Sequence, residues 1–165
     1  MGLIFFNNRG FKTVNYIFIT DLHYEGTDKQ DSSVQERASM LKEVQFVVDW
    51  ANKDDSIDFV CIGGDSINGN QSKSENLKLL NAIFTPLLDC NKPVFIIQGN
   101  HDDWWYKSTG SEIVKSIAYK RDDLAYLGPD VADLKIGKLK IRLFHGLGGG
   151  AYAKSYKLQK YLDTI

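Results

Sequence analysis

Residues 59–65 read FVCIGGD, an apolar run that ends in two glycines and an aspartate. Similar runs occupy residues 16–19 (YIFI) and 94–97 (VFII), and a fourth, less pure run occupies residues 141–144 (IRLF). The first three are nearly continuous, rich in β-branched or aromatic side chains, and bounded by polar residues or glycine. Such runs are typical of strands that are buried on both faces. The sequence therefore predicts buried strands at these three places.

Helical patterns separate and follow these strands. Ser33 to Asn52 opens with a capping box and repeats apolar residues at helical spacing. Ser72 to Asp89 opens in the same way, and Pro86 is expected to kink or end that helix. A shorter helix is expected from about Ser111 to Lys120. The order β-α-β-α-β favours a parallel sheet with right-handed crossovers, so the predicted fold class is α/β.

The pattern changes in the last third of the chain. Val131 to Ile136 and Lys138 to Phe144 predict an antiparallel hairpin that turns at Gly137. Tyr152 to Ile165 predicts an amphipathic helix. At the other end, Leu3 to Phe6 predicts a short N-terminal edge strand.

Composition excludes several classes of protein. A length of 165 residues suits one domain, over residues 1–165. The formal net charge of -1 argues against a surface that binds bulk nucleic acid. No apolar run approaches the ~20 residues that cross a bilayer, and two cysteines are too few for a disulfide framework. We therefore expect a cytoplasmic protein with reduced thiols and no membrane partner.

The histidines indicate where a site lies. The chain has three, and His23, His101 and His145 each come shortly after an apolar run. The remaining run ends at Asp65. In open α/β sheets, ligands bind at the carboxyl ends of the strands. We therefore expect four strand ends to bring one set of polar residues to a single edge: Asp21, His23, Asp65, Asn100, His101, Asp102 and His145.

The types of these residues predict a metal site. Asp21 and His23 are two residues apart, and in an extended backbone such side chains point the same way. Asp65 follows two glycines, which would let the backbone approach a metal ion closely. Asn100 follows Gly99 and offers a neutral amide oxygen. These nitrogen and oxygen donors suit Mn²⁺, Fe, Zn²⁺ or Ni²⁺ better than a structural cysteine-type zinc site.

Four short motifs resemble those of a known family. They are Asp21-Leu22-His23, Gly63-Gly64-Asp65-Ser66-Ile67-Asn68, Gly99-Asn100-His101-Asp102 and His145-Gly146. In this order, each after a predicted strand, they resemble the first four motifs of the calcineurin-like metallophosphoesterases, over about residues 16–146. The resemblance implies part of a layered α/β/β/α sandwich with two divalent metal ions. Asn68 stands where the family often has a second aspartate, and we do not assign it to a metal.

The resemblance also implies a set of metal ligands. Asp21, His23 and Asp65 would hold the first ion. Asp65 would bridge to the second ion, which Asn100 and His145 would also hold. Two ions about 3.5–4 Å apart can share a hydroxide that attacks phosphorus. The implied substrate is a phosphomonoester or a phosphodiester.

The two remaining motif residues receive catalytic roles from the resemblance. His101 would face the substrate, where it would stabilise the transition state or protonate the leaving oxygen. Asp102 would orient the His101 imidazole, as carboxylates next to a metal site do for histidines. The implied reaction is metal-dependent hydrolysis of a phosphoester.

Several alternatives stay open. The family's last motif, Gly-His-x-His, normally supplies one more ligand to each metal and has no counterpart after His145. The chain would then be a fragment, a naturally shortened product, or a subunit whose site a second chain completes. A non-catalytic binding module on the same scaffold is the main alternative function. A dinucleotide-binding protein is another, because Gly146 to Ala151 matches G-x-G-x-x-A, although no acidic ribose partner follows.

Overall fold

The computed structural model describes residues 13–25, 34–69, 71–103 and 110–145, which form a mixed α/β fold. The strands are β1 (Asn15–Ile19), β2 (Ile57–Ile62), β3 (Val94–Gln98), β4 (Leu124–Pro129), β5 (Val131–Ile136) and β6 (Leu139–Phe144). The helices are α1 (Val34–Lys53), α2 (Lys73–Phe84) and α3 (Ile113–Ala118), with a 3₁₀ helix at Thr85–Asp89 directly after α2. Residues 100–103 are also helical.

The first four strands form a parallel sheet in the order β1-β2-β3-β4. The three strands that were predicted from apolar runs are confirmed, and β2 and β3 in the middle of the sheet are almost fully buried. The prediction that β1 is also buried on both faces is wrong, because β1 lies at the edge of the sheet and its Tyr16 and Phe18 are 42% and 43% exposed. β4 was not predicted. Its sequence, LAYLGP, is mostly half-buried and ends in glycine and proline. Proline has no backbone N–H, and an edge strand tolerates it because one side of the strand needs no hydrogen bond to a neighbouring strand. Glycine followed by proline is also common in turns, so the end of β4 resembles a turn in the sequence.

The predicted antiparallel hairpin is confirmed as a separate sheet of two strands, β5 and β6. Ile136 pairs with Leu139, so the turn falls at Gly137 and Lys138. The second strand therefore begins one residue later than predicted. Gly137 has a φ of 57°, which suits a two-residue hairpin turn with glycine in the first central position.

The core forms two layers on opposite faces of the parallel sheet. On β2, Val60 and Ile62 pack with the helices, whereas Phe59 and Cys61 pack with the hairpin, as the alternation of a strand requires. Phe95 on β3 joins the hairpin side, and its ring meets that of Phe59 edge-on with centroids 5.5 Å apart. Burial raises the pKa of the Cys61 thiol to about 12, which suits a core residue.

The helices follow the predicted pattern, with changes at their ends. Ser72 caps α2 by accepting a hydrogen bond from the backbone N–H of Glu75 at 3.3 Å. The chain leaves α2 at Phe84 and continues into the 3₁₀ helix that holds Pro86, so the prediction that Pro86 ends the α-helix is confirmed. No helix in the described part of the chain is long and apolar enough to cross a membrane. The predicted N-terminal strand and C-terminal helix lie outside the described residues.

Candidate metal centre

Two loops run side by side beyond the carboxyl ends of β1 and β2. The backbone N–H of Asp21 donates to the carbonyl oxygen of Gly64 at 3.1 Å, and that of His23 donates to the carbonyl oxygen of Asp65 at 2.9 Å. Tyr24, next along the first loop, is buried in the core. These bonds extend the pairing of β1 with β2 and bring the first two motifs together.

Three residues of these loops have left-handed backbone conformations. The φ angles of Asp21, His23 and Asp65 are 57°, 46° and 50°. Such angles are uncommon for residues with a Cβ, and they are concentrated at functional sites. The expectation of an extended backbone at Asp21 and His23 is therefore wrong, because an extended backbone has a negative φ. The two side chains converge nevertheless, with Nε2 of His23 3.9 Å from Oδ1 of Asp21.

Asp65 lies at the centre of the cluster, with a side chain that is only 4% exposed. Its Oδ1 accepts a hydrogen bond from the backbone N–H of His101 at 2.8 Å. Its Oδ2 lies 3.1 Å from Nε2 of His145 and 3.7 Å from Nε2 of His23. Burial by itself would raise the pKa of Asp65, but the hydrogen bonds from His145 and His101 outweigh it and hold the pKa below its usual value. A charged carboxylate therefore lies where the histidines meet.

His145 reaches this point from a different sheet. Its strand, β6, belongs to the hairpin and not to the parallel sheet, as the sequence predicted. The hairpin turns back on itself, so β6 ends beside the start of β5. Accordingly, the backbone N–H of His145 donates to the carbonyl oxygen of Asp130 at 2.7 Å. The backbone N–H of Asp130 in turn donates to the carbonyl oxygen of Gln98 at 2.8 Å. This chain of contacts brings the end of β6 level with the end of β3.

The hydrogen bonds of His145 determine which ring nitrogen can meet a cation. Nδ1 lies 2.9 Å from the carbonyl oxygen of Gly63. A carbonyl only accepts, so Nδ1 carries the proton. Nε2 lies 3.1 Å from both Oδ2 of Asp65 and Oδ1 of Asn100. In a neutral His145, three sets of lone pairs would then face one another, which is unfavourable unless a positive charge lies among them.

A proton can supply that charge when no metal does. Burial by itself would lower the pKa of His145, but the hydrogen bond and charge of Asp65 outweigh it and raise the pKa. The cluster thus attracts positive charge, whether a proton on His145 or a metal ion supplies it. Its carboxylate, amide and imidazole donors fit a divalent transition metal.

Two groups of described side chains have the spacing of metal ligands. One group is His23, Asp65 and His101, and the other is Asp21, Asp65 and His145. Within each group the donor atoms all lie within 4.8 Å of one another. Asp65 belongs to both groups. His101, which was expected to face the substrate only, also lies at ligand distance.

Asp102 is buried, with only 1% of the residue exposed. Its carboxylate accepts hydrogen bonds from the backbone N–H groups of Ser66, Ile67 and Gly99 at 3.2–3.3 Å. Burial raises the pKa of Asp102 to about 6 despite these bonds. The contacts tie the loop after β2 to the loop after β3. The role of Asp102 in orienting the His101 imidazole stays a prediction.

Gly64 and Gly99 allow these two loops to touch. A Cβ on Gly99 would lie 2.3 Å from the backbone nitrogen and Oδ1 of Asp65, and a Cβ on Gly64 would lie 2.7 Å from the backbone of Gly99. The glycines were expected to open a path from the backbone to a metal ion. What they permit is close contact of backbone with backbone, and this contact positions the Asp65 carboxylate.

Comparison with known proteins agrees with this geometry. The family described as "Calcineurin-like phosphoesterase" matches residues 14–163. The chain belongs to this family. The resemblance that the four motifs predicted is thereby confirmed.

One relative of this calcineurin-like phosphoesterase is "Uncharacterized protein C1020.05" of Schizosaccharomyces pombe. The two are 34% identical over 98 residues, which make up 56% of this chain and 19% of the relative. The chain therefore spans about a fifth of the length of the curated relative that it matches.

Two polar residues of this family member lie at the site without having been assigned to it. Oδ1 of Asn68 lies 2.9 Å from Nδ1 of His23, and Nδ2 of Asn68 donates to the Glu25 carboxylate. The carbonyl oxygen of Asn68 also lies 3.4 Å from Nδ1 of His101. Asn68 ends the second motif, and this position could have indicated from the sequence that it lies at the site. Glu25 carried no such signal, because its partner is 43 residues away in the sequence.

Proposed function

We propose that this chain hydrolyses a phosphomonoester or a phosphodiester with two divalent cations that share Asp65. The observation that carries the proposal is the approach of two imidazole nitrogens to one buried carboxylate oxygen, at 3.1 Å for His145 and 3.7 Å for His23. Lone pairs gathered in this way are stabilised by positive charge. In a family that acts on phosphoesters, bound metal ions are a fitting source of that charge.

The motifs assign the ligands of the two cations. Asp21, His23 and Asp65 would hold one cation, and Asp65, Asn100 and His145 would hold the other. Mutual distance alone would place Asp21 with His145 instead. We keep the motif assignment for Asn100, because its Oδ1 lies 3.1 Å from Nε2 of His145. Asp65 is shared in either grouping, and Mn²⁺, Fe, Zn²⁺ and Ni²⁺ all suit these donors.

Charge and position support a hydrolytic role. Cations bound here would supply positive charge to the phosphate oxygens and activate water as a nucleophile. Asp21 and Asp65 would offset only part of that charge, which leaves a surplus for an anionic substrate. The ring of His101 lies edge-on to that of His23, with centroids 4.6 Å apart. From this position we propose that His101 stabilises the transition state or protonates the leaving oxygen.

The exposure of the ligands differs in a way that suits this function. The side chains of Asp65 and His145 are 4% and 6% exposed. Those of Asp21 and His23 are 56% and 34% exposed. The site thus has a buried floor that holds its geometry and an open rim that a phosphate can reach.

Turnover of a chromogenic phosphoester with and without Mn²⁺ tests the proposal. The whole chain is compared with H101A and with the control K78A, whose side chain on α2 is 75% exposed. We expect Mn²⁺-dependent turnover that falls roughly 10²–10⁴-fold in H101A and stays unchanged in K78A. Calorimetry should show that H101A still binds Mn²⁺, which would separate loss of chemistry from loss of metal.

The same measurements distinguish the alternatives. Mn²⁺ binding without turnover in the unaltered chain would favour the non-catalytic binding module. Failure to bind any of the candidate divalent ions would rule out the metal-dependent hydrolase. The dinucleotide alternative depends on Gly146 to Ala151, which lie outside the described residues. Quenching of nicotinamide fluorescence by the chain would test it.

A further inference from the structure

Asn68 lies between a carboxylate and a proposed metal ligand. Its Nδ2 donates to Oε1 of Glu25, and its Oδ1 lies 2.9 Å from Nδ1 of His23. Glu25 and His23 belong to the loop after β1, whereas Asn68 belongs to the loop after β2. The three side chains therefore form a line across the two loops that carry the first two motifs.

The chemistry of Glu25 determines how this line is oriented. An ionised carboxylate only accepts hydrogen bonds, so the amide group that faces it must be the Nδ2 of Asn68. The amide oxygen then faces His23, and it can only accept. Nδ1 of His23 must therefore carry the ring proton. In the neutral ring, the lone pair is on Nε2, which lies 3.7 Å from Oδ2 of Asp65 and 3.9 Å from Oδ1 of Asp21.

We propose that Glu25 and Asn68 form a relay that holds His23 in its Nδ1-protonated tautomer and so presents Nε2 to a divalent cation. The inference rests on the metal site of the proposed function and extends it to two residues that do not touch the metal. Asn68 acts as a positioning residue, and Glu25 acts through Asn68. A histidine that binds a metal through one nitrogen commonly donates from the other to a fixed acceptor.

The tautomer of His23 in the metal-free protein is the direct readout. Nitrogen chemical shifts of the labelled imidazoles distinguish the two tautomers by NMR. We expect the Nδ1-protonated form to predominate in the unaltered chain and both forms to be populated in N68A and in E25Q. A glutamine at position 25 can donate as well as accept, so it no longer determines the orientation of the Asn68 amide. His101 serves as an internal reference, because its Nδ1 faces the backbone carbonyl of Asn68, which these substitutions keep.

Mn²⁺ affinity measured by calorimetry is the second readout. N68A is expected to weaken binding by about 10–100-fold, the usual effect of removing such a partner. E25Q is expected to weaken it by about twofold or more, since a competent tautomer present half of the time halves the apparent affinity. E25Q should not weaken Mn²⁺ binding further in an N68A background, because Glu25 acts on His23 only through Asn68. A simple charge effect of Glu25 would instead add to that of N68A.

The double variant E25Q/N68D provides the rescue. It exchanges the carboxylate and the amide, so the net charge is kept, and the new carboxylate can accept from Nδ1 of His23 and from the glutamine amide. We expect the single tautomer to return, and Mn²⁺ affinity to reach at least that of the unaltered chain.

Three results would overturn the relay. They are an unchanged tautomer in both N68A and E25Q, additive losses of affinity in the double variant E25Q/N68A, and mixed tautomers in E25Q/N68D. None of these readouts depends on turnover. A chain that shows the expected tautomers and Mn²⁺ affinities but no hydrolysis would leave the relay supported and the hydrolase rejected.

Discussion

The Asp65 carboxylate lies 3.1 Å from the His145 imidazole, although the two residues follow strands of different sheets. Asp65 comes after β2 in the parallel sheet, and His145 comes after β6 in the hairpin. Their contact therefore exists only while the two sheets are packed together. We therefore expect metal affinity at the proposed site to be coupled to the stability of the core, and the first two predictions use that coupling.

Replacing Asp65 should abolish the response of the protein to metal. In D65N the shared oxygen loses its charge, so neither proposed cation keeps its common ligand. We expect Mn²⁺ at about 100 times Kd to stabilise the unaltered chain by about 2.7 kcal/mol and to leave D65N unaffected, as measured by thermal unfolding. D133N is the matched control, because Asp133 pairs with Lys140 and Arg142 on the hairpin. A rise in Tm with Mn²⁺ in D65N equal to that of the control would contradict the shared-ligand site.

Removing a ring between the sheets should weaken both folding and metal binding. Phe95 is 1% exposed and packs against Phe59 and the hairpin. F95A is expected to lower the free energy of unfolding by about 3–5 kcal/mol. Mn²⁺ affinity should also fall, because the hairpin that carries His145 loses its support. Urea unfolding and calorimetry measure the two effects.

The control for this prediction is F46A on the outer face of α1, where Phe46 is 66% exposed. Its free energy of unfolding should change by no more than about 0.5 kcal/mol, and its Mn²⁺ affinity should stay the same. If F95A destabilised the protein but bound Mn²⁺ as tightly as F46A does, the packing of the sheets would not govern the site.

A methyl group on Gly99 should disrupt the site. The added Cβ would lie 2.3 Å from Oδ1 of Asp65, so the carboxylate or the loop after β3 must move. We expect G99A to weaken Mn²⁺ binding by at least about 10-fold, by analogy with the loss of a partner next to a metal site. G110A is the control, because a Cβ there meets nothing within 4 Å among the described residues. Gly110 has a φ of 68°, so G110A should cost about 1–2 kcal/mol of stability without a change in Mn²⁺ affinity. Equal Mn²⁺ affinities in the two variants would show that close loop contact is unnecessary.

The ion pair of Arg121 with Asp123 should contribute pH-dependent stability away from the site. Hydrogen bonds from the Arg121 guanidinium hold the pKa of Asp123 below its usual value, and the same guanidinium donates to the carbonyl oxygen of Phe84 at 3.0 Å. A carboxyl whose pKa is lowered by folding stabilises the protein above its unfolded pKa of about 4, and the effect is lost as pH falls through the folded pKa. D123N should therefore be less stable than the unaltered chain by about 1–3 kcal/mol at pH 7, and the difference should shrink below about pH 4.

Urea unfolding at a series of pH values from 7 to 3 measures this difference. The neighbouring Asp122 is exposed, so D122N should follow the pH dependence of the unaltered chain. A gap between D123N and the unaltered chain that stayed constant down to pH 3 would mean that the carboxylate charge does not carry the effect.

The sequence alone was sufficient to predict the first three strands, β1 to β3, and the hairpin. A strand that is buried on both faces needs apolar side chains at successive positions, so β2 and β3 are visible as continuous runs. β4 escaped prediction because its apolar run is short and ends in Gly128 and Pro129, which suit a turn equally well. The motif residues were predictable for a related reason, since each follows a strand whose end is marked by the loss of apolar residues.

Tertiary structure alone decided which atoms of those residues meet. The sequence could not indicate the left-handed backbone of Asp21 and His23, which depends on pairing with the loop after β2. Nor could it indicate that the Asp102 carboxylate binds backbone amides, or that Glu25 orients Asn68. Strands follow from local patterns of burial, which adjacent residues encode. Hydrogen bonds between residues 35 to 45 positions apart depend on how two loops pack, and that is determined only when the sheets are assembled.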